Sequence, residues 1–323
     1  MSAEGAKSPD EIRIGISACL LGERVRFDGG HKRDGFLTGT LGEFVTFVPV
    51  CPEVAIGLGT PREAIRLVRS DRGTRLVGVK SGEDHTEPMR RYSQKRTREL
   101  ANADLDGFIV KRDSPTCGLE RVRVYDQNGS PTKSGRGLFT EALIDASPLL
   151  PVEEEGRLCD PKLRESFFER VFAYRRVRSL FRARWSIGDL VRFHTREKMF
   201  LLAHHEPSYR ELGRIVAGAK QTPRAELRTR YEELFMQALG RKATARKNTN
   251  VLQHMLGHLK DLVDGDDRRE LVECIEEYRR GMIPLVVPVT LLRHHVRRHS
   301  IDYLSGQTYL EPHPKELMLR NHV

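Results

Sequence analysis

The stretch FVPVCPEVAIGLG (residues 47–59) decides how the first half of the chain is read. An apolar run of strand character ends in Cys51-Pro52-Glu53, and glycines then break the pattern. A short apolar run bounded by turn residues is the signature of a buried strand. A cysteine at its end, with a carboxylate two residues later, raises the question of what that end does.

Strand and helix signals alternate on either side of it. EIRIGISAC (11–19) and EFVTFVPVC (43–51) read as buried strands, TRLVGVKSG (74–82) as a shorter one and LDGFIVKRDS (105–114) as another. Helical periodicity runs through EPMRRYSQKRTRELANA (87–103) and GLFTEALIDA (137–146). This alternation predicts an α/β domain, Rossmann-like, with a mostly parallel sheet. VYDQNGSPTKSGRG (124–137) is rich in turn residues, and Asn128-Gly129 suits either a hairpin or a longer loop.

Past PVEEEGRL (151–158) the period changes. Phe168, Val171, Phe172, Val177, Leu180 and Phe181 form an apolar stripe at helical spacing, with arginines over the remaining surface. Further segments of the same kind follow and strand signals are nearly absent, so an all-α domain of six or seven helices is expected. The expected domains are residues 1–155 and 156–323.

Composition fits this division. A chain of 323 residues is too long for one small core. With 38% hydrophobic and 31% charged residues it reads as a soluble globular protein. MIPLVVPV (282–289), the longest apolar run, is interrupted by prolines and is far below the roughly 18 residues a membrane span needs. The amino terminus, MSAEGAKSPDE, lacks the apolar core of a signal peptide. A cytoplasmic protein with no membrane partner is expected. Net charge is +10, and most of the excess lies beyond residue 150. That asymmetry points to a polyanion such as tRNA or another RNA, with a merely basic helical surface as the plainer reading.

The five cysteines are odd in number and widely spaced, which argues against a disulfide framework. Cys19, Cys51 and Cys117 each fall at or just past the carboxyl end of a predicted strand. Strand carboxyl ends of an open parallel sheet share one edge, where ligands bind. Three distant residues thus converge on one place. Their thiolates suit zinc or an iron–sulfur cluster, and three small buried hydrophobes remain the alternative. Cys159, in the linker, and Cys274, on a helix, are read as non-ligands.

These residues carry a family resemblance. ISACLLGERVRFDGG (16–30), VPVCPEVAIGLGTPR (48–62) and VKRDSPTCG (110–118) resemble, in order, the motifs of the thiouracil desulfurases. The resemblance covers about residues 11 to 150. It implies a 4Fe-4S cluster held by Cys19, Cys51 and Cys117, with the fourth iron open to the substrate's sulfur. It also implies catalytic roles for Glu53 and Ser114; the family more often has serine where Thr116 stands. The implied reaction is hydrolytic, non-redox desulfuration of a thiolated pyrimidine, as a 2-thiouracil-like base or a thiouridine. ERVFAYRRVRSLF and LVRFHTREKMFLLAHH, in the second half, resemble the helical YbgA-like domain.

Other candidates carry plainer readings beside the functional ones. Asp28 and His31 lie near Cys19, where Asp-Gly-Gly also makes a turn. Lys111 and Arg112 are suited to an anionic substrate or to a plain charged edge. His254 and His258 stand four apart without the glutamate of the zinc-protease motif. They read, like His204-His205 and His294-His295-His299, as helix surface. Basic clusters recur at Arg175, Arg176, Arg178, Arg182 and Arg184, at Arg241, Lys242, Arg246 and Lys247, and at Arg293, Arg297 and Arg298. The alternative function is an RNA-binding protein with a structural metal in its α/β half. A sulfur-inserting enzyme is a third reading, disfavoured by the missing P-loop signature. The oligomeric state is not legible.

Overall fold

The computed structural model describes residues 11–71, 73–182 and 184–323. Apart from Glu11, the amino-terminal stretch read above for a leader lies outside the described residues. The chain divides into two compact units, one ending at Asp160 and one beginning at Pro161.

The first unit runs β1 (Ile12–Ser17), a 3-10 turn (Ala18–Leu21), α1 (Gly35–Thr38), β2 (Val45–Val50), α2 (Pro52–Ala55), β3 (Ile65–Ser70), β4 (Gly73–Gly78) and α3 (Thr86–Ala101). It continues with β5 (Gly107–Val110), β6 (Val122–Tyr125), β7 (Pro131–Gly135), α4 (Leu138–Ala146) and β8 (Val152–Glu154). One sheet has the order β2-β1-β5-β8 and is parallel throughout. Its central strands are apolar on both faces, with Ile14, Ile16, Ile109 and Val110 all sealed from solvent. Covering both faces of a parallel sheet requires that composition. Pro49 sits on β2, an edge strand, where a missing backbone donor does least harm.

A second sheet, β4-β3-β6-β7, was not read from the sequence. The β3–β4 and β6–β7 pairs are antiparallel and β3–β6 is parallel. Leu67, Leu76, Val122 and Val124 close over Met89 of α3 and Leu138 of α4. Asn128-Gly129 takes the hairpin option: Gly129 has φ +79°, and Asp126 Oδ1 accepts from the backbone of Asn128 and Ser130 at 2.9 and 2.8 Å. The stretch Val-Glu-Glu at 152–154, to which no element was assigned from the sequence, is the fourth parallel strand. Its glutamates can be buried because they are bonded. Glu154 accepts from the Leu119 amide at 2.9 Å, and Glu153 pairs with Arg157 at 2.8 Å.

The second unit is helical, as its period requires. Its helices are α5 (Pro161–Arg182), α6 (Ile187–His204), α7 (Glu206–Ala217), α8 (Arg224–Leu239), α9 (Ala245–Leu259), α10 (Gly265–Arg279), α11 (Val286–Arg298) and the short α12 (Asp302–Ser305). Starts are set by local chemistry: Ser186 and Asp189 form a capping box for α6, and Thr244 and Asp264 cap α9 and α10. Phe168, Val171, Val177 and Phe181 of the sequence stripe are buried. The core also holds charge. Arg320 donates to Glu169 at 2.8 Å and Arg176 to Glu197 at 2.8 Å, with both carboxylates buried. Among the described residues, no helix is long and apolar enough to cross a membrane.

Candidate active site

The carboxyl ends of β1, β2 and β5 deliver the site. Cys19 lies in the 3-10 turn that follows β1 and Cys51 is the residue that caps α2 directly after β2. Pro52 at the first helical position suits that cap and places Glu53 in the first turn, where a negative side chain meets the helix dipole. Cys117 ends a tight turn after β5, closed by the Gly118 amide donating to Ser114 O at 2.8 Å. A Cβ at Gly118 would lie 2.4 Å from Val122, so this turn needs glycine.

Cys19, Cys51, Cys117, Glu53 and Ser114 all line one cavity of about 510 Å³. Its wall also includes Ser17, Arg26, Phe27, Lys32, Arg62, Lys111, Arg112, Asp113 and Arg123. Sequence reasoning singled out Lys111 and Arg112 among these but passed over Arg26, Phe27, Lys32, Arg62 and Arg123. Arg26, Phe27 and Arg62 lie inside the family-like motifs without being singled out there, and Lys32 and Arg123 carry no local mark; each is a loop or strand residue brought in by the fold. Asp28 and His31 are not in the wall. Asp28 Oδ1 accepts from the Gly30 amide at 3.0 Å, a turn role, and His31 Nδ1 accepts from the Arg33 amide at 3.2 Å.

The three thiols are free. Burial pushes Cys19 up to about 11, against the pull of Lys111. Burial, with Glu53 adding to it, pushes Cys117 up to about 12. Cys51 is raised by burial as well. Thiols in this condition become ligands only when a cation displaces their protons. Among the described residues, no three His, Cys, Asp or Glu side chains gather closely enough to hold a single metal ion. The donor set is three soft sulfurs spread around one cavity, and that suits a group of several irons.

Glu53 is held from both sides. Oε2 pairs with Arg62, which also donates to Gly59 O at 2.6 Å and Val25 O at 3.0 Å. Oε1 accepts from Thr116 Oγ1 at 2.8 Å. Ser114 Oγ lies 3.0 Å from the same Thr116 hydroxyl. Lys111 pairs with Glu155, the residue just past β8, whose other oxygen accepts from the Arg112 amide at 2.6 Å.

Cys159 is exposed and Cys274 half-buried on α10; neither lines this cavity. His254 and His258 are exposed on α9, and the His258 ring packs 5.1 Å from Tyr303. His204 is instead a core residue, 3.3 Å from Glu169 and sealed from solvent. The basic clusters divide similarly. Arg176 is spent on Glu197 and Lys247 on the carbonyls of His204 and Lys242, whereas Arg241, Lys242 and Arg246 are exposed around the start of α9.

The chain belongs to the 2-thiouracil desulfurase family, and the cavity lined by three thiols, a carboxylate and a hydroxyl lies within the part that matches it. Residues 14–155 match that family's model. Residues 198–314 match a second family, described as a protein of unknown function (DUF1722). An uncharacterized protein of Escherichia coli K12, YbgA, is 33% identical over 158 residues, covering 49% of this chain and 94% of that one. An uncharacterized protein of Bacillus subtilis 168, YbbK, is 30% identical over 108 residues, covering 32% of this chain and 71% of its own. The solved structure of the 4Fe-4S-dependent thiouracil desulfidase TudS is 30% identical, with 46% of this chain and 95% of that one covered and a TM-score of 0.38.

Proposed function

We propose that the protein removes sulfur hydrolytically from a thiolated pyrimidine, using a 4Fe-4S cluster held by Cys19, Cys51 and Cys117 in the α/β domain. The observation that carries this reading is that the three thiols, Glu53 and Ser114 line one cavity. The family match over residues 14–155 supports it. When bound, a cluster with three thiolate ligands supplies one iron without a protein ligand, a Lewis acid for a soft sulfur. The net reaction exchanges C=S for C=O: water brings the oxygen, sulfur leaves as hydrogen sulfide, and no electron is transferred.

The chain's own residues supply the rest. Glu53, beside Cys51, takes a proton from the attacking water or hands one to the ring nitrogen. Ser114 contacts the ring from the same wall. Phe27, 41% exposed in the cavity wall, offers a face on which a pyrimidine stacks. Lys32 and Arg123 are exposed in the wall and, among the described residues, form no ion pair. These free cations favour a base carried on phosphate, as a nucleotide or within RNA such as tRNA, over a free base. The YbgA-like domain's exposed cations at the start of α9 are a further place for an RNA backbone.

Purification without oxygen, followed by assay of iron, acid-labile sulfide and sulfide release from 2-thiouracil, tests the reading. Protein that stays colourless and free of iron after reconstitution would refute it.

A further inference from the structure

The cavity wall holds Glu53 and Ser114, but the group that joins them lies behind it. Thr116 is fully buried, and its Oγ1 is 2.8 Å from Glu53 Oε1 and 3.0 Å from Ser114 Oγ. We infer that Thr116 is the positioning residue that makes Ser114 and Glu53 act as one unit, an inference that rests on the desulfurase reading above.

Donor counting gives the contact a direction. A carboxylate only accepts, and a threonine hydroxyl has one proton. Glu53 Oε1, whose partner oxygen is paired with Arg62, takes that proton. Cys117 Sγ, 3.6 Å from the same hydroxyl, is the weaker acceptor. The Ser114 hydroxyl is then the donor to Thr116. Ser114 Oγ in turn accepts from the amides of Cys117 at 3.1 Å and Thr116 at 3.3 Å. The chain therefore runs one way, from Ser114 through Thr116 to Glu53. It fixes the Ser114 hydroxyl, with its O–H directed at Thr116, and it fixes one face of the Glu53 carboxylate.

The fold holds the link stiffly. A β-branched side chain has little χ1 freedom once buried. Thr116 O accepts from the Phe139 amide of α4 at 3.0 Å, and Thr140 Oγ1 donates to Cys117 O at 2.6 Å. The network thus joins positions 63 residues apart.

Two substitutions test this on the full chain after anaerobic reconstitution. Thr116→Val keeps the shape and removes the hydroxyl; Thr116→Ser keeps the hydroxyl. With Thr116→Val, iron per chain and affinity for 2-thiouracil, read by spectral titration, are expected to match the parent. Its kcat is expected to fall about tenfold to a hundredfold, the worth of one hydrogen bond to a charged group. Thr116→Ser is expected to restore kcat to within about threefold, and adding Thr116→Val to Ser114→Ala is expected to cost little more than Ser114→Ala alone. A parental kcat in Thr116→Val, or penalties that multiply fully in the double variant, would overturn the inference and leave the desulfurase reading standing. Loss of folding or of iron in Thr116→Val would also overturn it, making Thr116 a support for the Cys117 turn. A parent protein that binds iron but releases no sulfide would remove the reading itself, and the inference with it.

Discussion

Arg62 and Glu53 form an ion pair inside the wall of the cavity, with only 6% of the arginine side chain and 16% of the glutamate side chain exposed. The guanidinium also holds the carbonyls of Val25 and Gly59, so one side chain ties the loop after Cys19 and the loop after α2 to the carboxylate. Removing one partner of such a pair leaves a buried charge without compensation. Arg62→Ala is expected to lower unfolding stability by about 3 kcal/mol or more in urea titration, and to reduce turnover. Arg62→Lys restores the charge but not the forked geometry, and is expected to fall between the two. A change as small as that of a surface pair, below about 0.5 kcal/mol for Arg62→Ala, would contradict the structural role.

The cysteines separate into two groups by position. Serine at Cys19, Cys51 or Cys117 is expected to lower iron per chain sharply after reconstitution, because each removes one of three soft donors. Serine at Cys159 or Cys274, neither of which lines the cavity, is expected to leave iron unchanged. Equal iron in all five variants, measured on folded protein, would count against the thiol cavity as the metal-holding place.

Gly137 has a similar importance without any functional group. A Cβ there would lie 2.4 Å from Thr116 C and 2.7 Å from Cys117 N, both backbone atoms that cannot swing aside. Gly137→Ala is expected to cost about 1–3 kcal/mol, the range for overpacking a buried site. It is also expected to displace the Thr116-Cys117 turn, seen as reduced iron loading. A variant with parental stability and loading would show that the turn yields more easily than its contacts suggest.

The parallel sheet was legible because β1, β2 and β5 are short, mainly apolar runs, although β2, at the sheet edge, is only half-buried along most of its length. The second sheet was not. Its β7 strand, Pro-Thr-Lys-Ser-Gly, is exposed along nearly its whole length and carries no apolar signal. The three residues of β8 include two glutamates whose burial depends on partners far away in sequence, such as the Leu119 amide. The site divides in the same way. Strand ends announced Cys19, Cys51 and Cys117 as neighbours, and the cavity brings them together. Thr116 was marked only as a threonine where the family more often has serine, and Phe27 and Arg62 lay unremarked inside the family-like motifs; the role of each comes from contacts made across separate segments of the fold.

Two buried histidines make the helical unit acid-sensitive. Burial, aided by Lys198, holds His194 down to about 4, and burial, aided by Arg320 against Glu169, does the same to His313. Because the folded values are depressed, the unfolded chain takes up these protons first. The stability they contribute is present above the ordinary value near 6.5 and is lost as pH falls from there toward 4, at up to about 1.4 kcal/mol per pH unit for each histidine. Urea midpoints measured from pH 7 to pH 4 are expected to fall over that window, and less steeply in His313→Gln. A flat profile between 6.5 and 4 would contradict burial of neutral histidines.

The central claim is that the carboxylate beside Cys51 performs chemistry in a thiol-lined cavity. Glu53→Gln tests it most directly, when compared with the parent at equal iron and sulfide content in a single-turnover assay of sulfide release from 2-thiouracil. The account predicts a full complement of iron and a loss of sulfide release of about a hundredfold or more, at the scale of general acid–base catalysis. Sulfide released by Glu53→Gln at the parental rate would contradict it.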